Sequence, residues 1–335
     1  MKNMEHLIRS YLIPLLQRLG KPISIFLDLI LIPFVFISGL ILKFYRKIGS
    51  KRFPLNSSLL KTLGVFPIID HFYEPLFNHK SLSSDFSKNR NLPSVDFREE
   101  EQLKLLKNFI FQEDFKCFLD DETNSKKPRS FSITNGSYGA GDAEILFNFV
   151  RLKKSSKIIE IGSGKSSQVI EAALKMNMKE GFKPNFTCIE PFKPWLKETE
   201  IIKITRSKLE ETSIDWSTEL SEGDFLFIDS SHMIRPQGDV LYEYLEIIPS
   251  LSPGVFVHVH DIFSPRDYPE SWLKTDVRFW NEQYLLETLL SNSNRYKIIA
   301  SLNYLKNNYY EDLKKVSPYL KKTHEPGAFY FEIIA

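Results

Sequence analysis

Four carboxylates close apolar runs in the second half of this 335-residue chain: Glu160, Glu190, Asp229 and Asp261. Three histidines, His232, His258 and His260, lie in the same stretch. Acids at a sheet edge hold ribose hydroxyls or divalent cations, and an imidazole exchanges a proton near neutral pH. These residue types point to ligand capture and proton transfer at one end of a sheet.

The segment Lys157–Ser166 (KIIEIGSGKS) shows what would set up such a site. Ile158, Ile159 and Ile161 suit a buried strand, and Glu160, Gly162 and Gly164 form E-x-G-x-G with Ser163 between the glycines. A glycine turn between strand and helix exposes backbone N–H groups and lets a ligand come close. A P-loop needs glycine where Ile159 stands, and a dinucleotide fingerprint needs Gly or Ala where Ser167 stands. What remains is a cofactor without a pyrophosphate whose cationic group can meet an acid, which S-adenosylmethionine (SAM) satisfies. Phe186–Glu190 reads as the next strand, and an acid at its tip is placed for both ribose hydroxyls. Asp224–Asp229 and Gly254–Asp261 are two further apolar strands ending in acids.

Around these, the chain alternates strands and helices. Helices are expected near 145–152, 169–174, 238–249, 272–291 and 304–315, and closing strands at 297–302 and 327–333. The fold expected is a Rossmann-like, doubly wound, seven-stranded and mostly parallel sheet with helices on both faces. Thr134–Glu144 is a glycine-rich loop, either a lid over the ligand or a plain loop with Asp142 as helix cap. A division into 1–52, 53–130 and 131–335 follows: a hydrophobic and basic segment, a cover region and the main domain. The cover region is expected to hold one helix, Glu99–Gln112, and polar connections at 78–91 and 120–129.

Charge is balanced, 44 basic against 42 acidic residues, so no nucleic-acid footprint is expected. Cys117 and Cys188 make no metal or disulfide pattern, which fits a reducing compartment. Residues 23–42 depart from soluble character, with Asp28 as the one charge and Pro33 as the one proline. Twenty such residues cover the roughly 30 Å apolar core of a bilayer. The run starts too far from Met1 and lacks the cleavage site of a signal peptide. Its C-terminal flank (Lys43, Arg46, Lys47, Lys51, Arg52) is more basic than its N-terminal one (Arg9, Arg18, Lys21), which favours a domain on the cytoplasmic side of a membrane. Pro33 sets a bent or re-entrant helix against a straight span.

Residues 130–335 resemble the class I SAM-dependent methyltransferases, and within them the metal-assisted small-molecule and sugar O-methyltransferases of methyltransferase family 24. The resemblance rests on the glycine turn, Glu190, Ile228-Asp-Ser-Ser-His232 and Pro253-Gly254 leading to Asp261. Gly64–Pro75 and His232–Asp239 also look like a bacterial subgroup. The resemblance implies that Gly162 and Gly164 approach the methionyl part of SAM and that Glu190 binds its ribose. It implies a metal at Asp229 with His260 and Asp261, and His232 as general base. His260 stands where such enzymes carry a carboxylate.

The chemistry is coherent on its own terms. Methyl transfer to a hydroxyl needs the oxygen deprotonated and aimed at a sulfonium, which a divalent cation (Mg, Mn or Fe) and a histidine can arrange. Two rivals are a non-haem metal oxygenase or hydrolase using His258, His260 and Asp261, and a membrane-tethered SAM-binding module without catalysis. The acceptor expected is a small molecule or glycan, lipid-linked if the enzyme is membrane-bound. Phe263, Tyr268, Trp272, Trp280 and Tyr284 either stack on a sugar ring or pack a helix. The oligomeric state is not set by the sequence.

Overall fold

The computed structural model describes residues 21–78, 80–82, 85–125 and 129–335. Arg9 and Arg18 lie outside the described residues. The chain divides into two compact units, one ending at Leu82 and the other comprising Ser83–Ala335. Part of the expected cover region, residues 53–82, therefore groups with the hydrophobic segment.

In the first unit, helix α1 (Lys21–Ile48) runs unbroken through Pro33. Its Ile23–Ile48 portion is long and apolar enough to cross a membrane, and none of its most apolar stretch is buried within the protein. Gly49 (φ 104°) and a short 3-10 turn, Ser50–Arg52, lead into α2 (Pro54–Leu63), which ends on the left-handed Gly64. Buried Tyr45 pins this junction through its hydroxyl on Ser57 and its ring against Phe53 and Phe66.

The second unit opens with α3 (Glu99–Lys107) and α4 (Gln112–Ser125), where one helix ending at Gln112 was expected. The break arises because the Phe111 N–H donates to Asn148 Oδ1 (2.9 Å) instead of continuing the helix. Residues 120–125 are helical, not a polar connection, since Phe115, Phe118 and Leu119 at helical spacing bury one face against Phe147. Then come α5 (Asp142–Lys153), β1 (Lys157–Ile161), α6 (Lys165–Lys179), β2 (Asn185–Ile189), β3 (Ile202–Thr205), α7 (Trp216–Glu219) and β4 (Phe225–Ile228). After β4 follow α8 (Asp239–Tyr242) with a π turn through Ile247, β5 (Phe256–Val259), α9 (Glu270–Lys274), α10 (Glu282–Leu290) and β6 (Tyr296–Ser301). The chain ends with α11 (Leu302–Asn308), α12 (Tyr310–Val316) and β7 (Phe329–Ile333).

The seven strands run in the order β3-β2-β1-β4-β5-β7-β6. β7 is antiparallel to both neighbours and the other pairings are parallel. Alternation along the strands sends Ile158, Phe186, Phe225, Phe227 and Tyr330 into one core with α5 and α6. Ile159, Ile161, Leu226, Ile228, Val257, Val259 and Phe331 enter the other. The chain order reverses between β1 and β4, and open sheets of this kind take ligands at the carboxyl ends of the strands beside that point. The expected helix at 272–291 is two helices. Val277 (φ 52°) turns the chain out between α9 and α10. That excursion ends with Asn281 and Glu282 donating their backbone N–H groups to the His232 carbonyl.

Candidate functional site

The glycine turn after β1 is shaped by the tip of β4. Gly162 has φ 76°, and a Cβ built there would lie 1.9 Å from the Asp229 carbonyl oxygen. Only glycine fits at that crossing. Gly164 differs: it is extended, and its nearest neighbour to a Cβ would be the flexible end of Lys193 at 3.5 Å.

Beside the turn is a cavity of about 570 Å³, walled by Ile161 and Gly162 at the end of β1, Glu190 and Lys193 after β2, Leu209, and the loop after β4 at residues 229–231 and 235–239. Glu190 is nearly buried at its edge. It accepts the Phe192 and Lys193 N–H groups on one oxygen (2.6 and 3.1 Å) and the Ser163 N–H on the other (3.2 Å), with the Lys193 ammonium 3.3 Å away. Glu160 does not line this cavity, contrary to its expected contact with the cofactor. Being on the Ile158 side of β1, it is fully buried and accepts Ser166 Oγ (2.6 Å), Ser167 Oγ (2.5 Å) and Cys188 Sγ (3.2 Å). Burial raises its carboxyl to about 7 against the pull of those three donors. Ser167 in turn accepts the Gly164 N–H (2.9 Å), so Glu160 fixes the first turn of α6 from beneath. Ser163 is buried and meets the site through its backbone alone.

Asp229 joins this cavity to a second group. Asp229, His232 and Asp261 each present a ligand atom within 4.8 Å of the others. His232 Nε2 lies 3.3 Å from Asp229 Oδ1 and 3.6 Å from Asp261 Oδ2, while Nδ1 lies 2.8 Å from Glu282 Oε2. Glu282 is fully buried and also accepts the Tyr244 hydroxyl (3.1 Å). The His232 ring is thus fixed on one side by a carboxylate and aimed on the other at two more. Trp280 packs on it at 4.3 Å between ring centroids. His232 (φ 58°) and Asp261 (φ 57°) both hold left-handed backbone, a cost of order 1–3 kcal/mol each that clusters at functional sites.

The electrostatics follow from this crowding. Burial pulls the His232 ring down, but Asp229 and Glu282, with Asp261 beyond, outweigh it and hold the imidazole well above its usual value. Burial pushes Asp229 up, yet His232 and His260 overcome it and bring the carboxyl to about 2.

Two expectations fail here. His260 is not part of the three-residue cluster. Its ring is buried 4.8 Å from Tyr138 and stacks towards His258, and it touches the group only as a neighbour of Asp261, Nε2 to Oδ1 at 3.5 Å. His258, one alternation back on β5, is stacked on Phe227 at 4.1 Å in the α5-side core, and neither ring nitrogen has a hydrogen-bond partner. A metal held by His258, His260 and Asp261 is therefore not built, which removes the oxygenase site as drawn. Burial, then His260, holds the His258 ring well below its usual value.

Asp142 is not the cap of α5, whose N-cap is Gly141. Its carboxylate accepts the N–H groups of Gly327 (3.3 Å) and Ala328 (2.8 Å) at the start of β7. Gly327 is pressed against Asp261: a Cβ there would come within 2.9 Å of the Asp261 Cα. The loop before α5 therefore ties the entry of β7 to the tip of β5. Of the aromatic residues, Phe263 and Tyr268 are packing residues, 2% and 1% exposed, while Trp272 and Trp280 are half-buried with Arg278 over both rings. Glu282 escaped the sequence reading. The acid at the start of a helix reads as a dipole partner, and nothing local links it to a histidine 50 residues away.

A 3-2-1-4-5-7-6 sheet with an antiparallel seventh strand, a glycine turn after β1 and an acid at the tip of β2 is the arrangement expected from the resemblance to the class I SAM-dependent methyltransferases. Residues 159–262 match the family model described as "Methyltransferase domain", the family-24 group. Comparison with curated proteins gives no match. Among solved structures, the chain is similar to the O-methyltransferase TomG from Streptomyces achromogenes, with 12% identity, 67% of this chain and 90% of that one covered, and a TM-score of 0.35. It is also similar to the plantazolicin methyltransferase BpumL, with 16% identity, 71% and 97% covered, and a TM-score of 0.37. A third is an O-methyltransferase from Bacillus cereus, with 11% identity, 67% and 91% covered, and a TM-score of 0.30.

Proposed function

We propose that the second unit transfers a methyl group from SAM to a hydroxyl oxygen of a small-molecule or sugar acceptor, with a divalent cation on Asp229 and Asp261 and with His232 taking the proton. The observation that carries this reading is the Asp229–His232–Asp261 group beside the cavity, with Glu282 behind the histidine.

The residues fit the groups assigned to them. Glu190 is poised for ribose hydroxyls once Lys193 yields, and Gly162 leaves the methionyl part its approach. Two carboxylates suit Mg²⁺ or Mn²⁺, which keep several waters, and without His260 the case for iron weakens. A cation there supplies charge that favours the deprotonated acceptor oxygen. With the charge of the aspartates offset by a cation, the His232 ring would lose their pull and could be neutral at physiological pH, leaving Nε2 able to accept a proton. Glu282 then holds Nδ1–H and stabilises the imidazolium that forms. The same reading places α1 in a membrane with the catalytic unit on the cytosolic side, and favours an acceptor presented at that membrane, such as a lipid-linked sugar.

Chelation tests it. Exhaustive removal of divalent cations is expected to abolish methyl transfer from labelled SAM while calorimetry shows SAM binding nearly unchanged, and Mg²⁺ or Mn²⁺ should restore turnover. Asp229→Asn should behave as the chelated protein does. Activity that persists without divalent ions would leave the aspartates as orienting groups only. For the cofactor, Glu190→Gln is expected to weaken SAM binding about tenfold, the scale of one hydrogen bond to a charged acceptor, with an unchanged melting curve.

A further inference from the structure

Beyond α1 the first unit carries an apolar surface that its described residues leave exposed. Leu55, Leu59 and Leu63, spaced four apart on α2, are 84%, 56% and 52% exposed. Spacing of that kind puts them on one helical face. Phe72 and Tyr73, 82% and 84% exposed, pack against each other at 4.1 Å between ring centroids a few residues later. Neither element hangs loose. α2 is fixed to the end of α1 by Tyr45, with Ser57 also donating to the Ser50 carbonyl (2.9 Å). The aromatic pair is fixed by Glu74, which pairs with Arg46 in the last turn of α1.

Charge identifies what these side chains face. Residues 43–61 contain six basic residues (Lys43, Arg46, Lys47, Lys51, Arg52 and Lys61) and no acidic one. Of these, Lys43, Lys47, Lys51, Arg52 and Lys61 are exposed. An apolar stripe, aromatic side chains and a basic flank at the end of a membrane-length helix together match the boundary between headgroups and acyl chains of an anionic bilayer.

We infer that α2 and the Phe72–Tyr73 pair lie in the interface of an anionic membrane, with Leu55, Leu59 and Leu63 in the acyl boundary. The inference rests on α1 being inserted. It turns a simple tether into a two-part anchor in which the surface element sets the height of the chain above the bilayer.

The test uses the full chain with exposed Cys117 replaced (Cys117→Ser), reconstituted in phosphatidylglycerol vesicles. Single nitroxide labels go on Val35→Cys, Asn56→Cys or Leu59→Cys. Accessibility to dissolved oxygen and to a water-soluble nickel chelate reports depth. The Leu59 label should favour oxygen over the chelate, though less than the Val35 label does, and the Asn56 label should favour the chelate. Lys51→Glu with Arg52→Glu, or phosphatidylcholine in place of phosphatidylglycerol, should return the Leu59 label towards the chelate. If the Val35 label is deep but the Leu59 and Asn56 labels are equally open to the chelate, the interfacial helix is wrong and the span stands. A Leu59 label shielded from both reagents means a protein contact and overturns the lipid assignment. A Val35 label open to the chelate overturns the membrane reading itself.

Discussion

His232→Ala is expected to bind SAM and Mg²⁺ with nearly native affinity and to turn over about 10²–10⁴ times more slowly, the range for a lost general base. The side chain does not line the cavity proposed for SAM, and the two aspartates proposed for the cation remain. Steady-state rates at saturating SAM and cation, with calorimetry on the same preparations, separate the steps. Glu282→Gln serves as the companion, because it keeps the volume and the hydrogen bond to Nδ1 but removes the charge that would stabilise the imidazolium. Its rate should fall between wild type and His232→Ala. A fully active His232→Ala protein would mean that another group takes the proton.

The second large effect falls on the glycine turn. Gly162→Ala places a Cβ 1.9 Å from the Asp229 carbonyl in a backbone region that L-residues avoid, so the tips of β1 and β4 must separate. A loss of roughly 3–5 kcal/mol of stability is expected, near the upper end for a single substitution. Any folded fraction should show no detectable SAM binding, because Gly162 and Asp229 both wall the cavity. Gly164→Ala is the control. Extended backbone and a 3.5 Å contact with a movable lysine predict native stability and binding reduced slightly at most. Chemical denaturation and calorimetry on the two variants decide the matter, and equal behaviour would count against the distinction between the glycines.

The contrast between these two positions shows how far the sequence could be read. E-x-G-x-G announces a turn, but which glycine is indispensable depends on β4, whose tip arrives 67 residues after the turn. Glu190, Asp229 and Asp261 were legible because each follows an apolar strand, and a strand tip is a place that local pattern defines. Glu160 misled because its neighbours Gly162 and Gly164 draw it towards the turn, while the two-residue period of β1 sends it inward with Ile158. β3 went unread: four residues, Ile-Lys-Ile-Thr, paired on one side only, carry too little apolar signal to stand out. The break at 275–281 was invisible for the opposite reason. Its cause is the His232 carbonyl, a partner far away in sequence that takes the first N–H groups of α10.

β7 enters the sheet between β5 and β6, and Gly327 at its entry props the backbone of Asp261. Because β7 follows β6 in the chain, β5 and β6 are made before the strand that lies between them, and the backbone groups flanking that place gain their ladder partners only when β7 inserts. The aspartate at the tip of β5 takes its final position only at that moment. The support of Asp261 therefore waits on β7: a chain cut before Gly327 would carry the whole glycine turn, Glu190 and Asp229, yet hold Asp261 without that support.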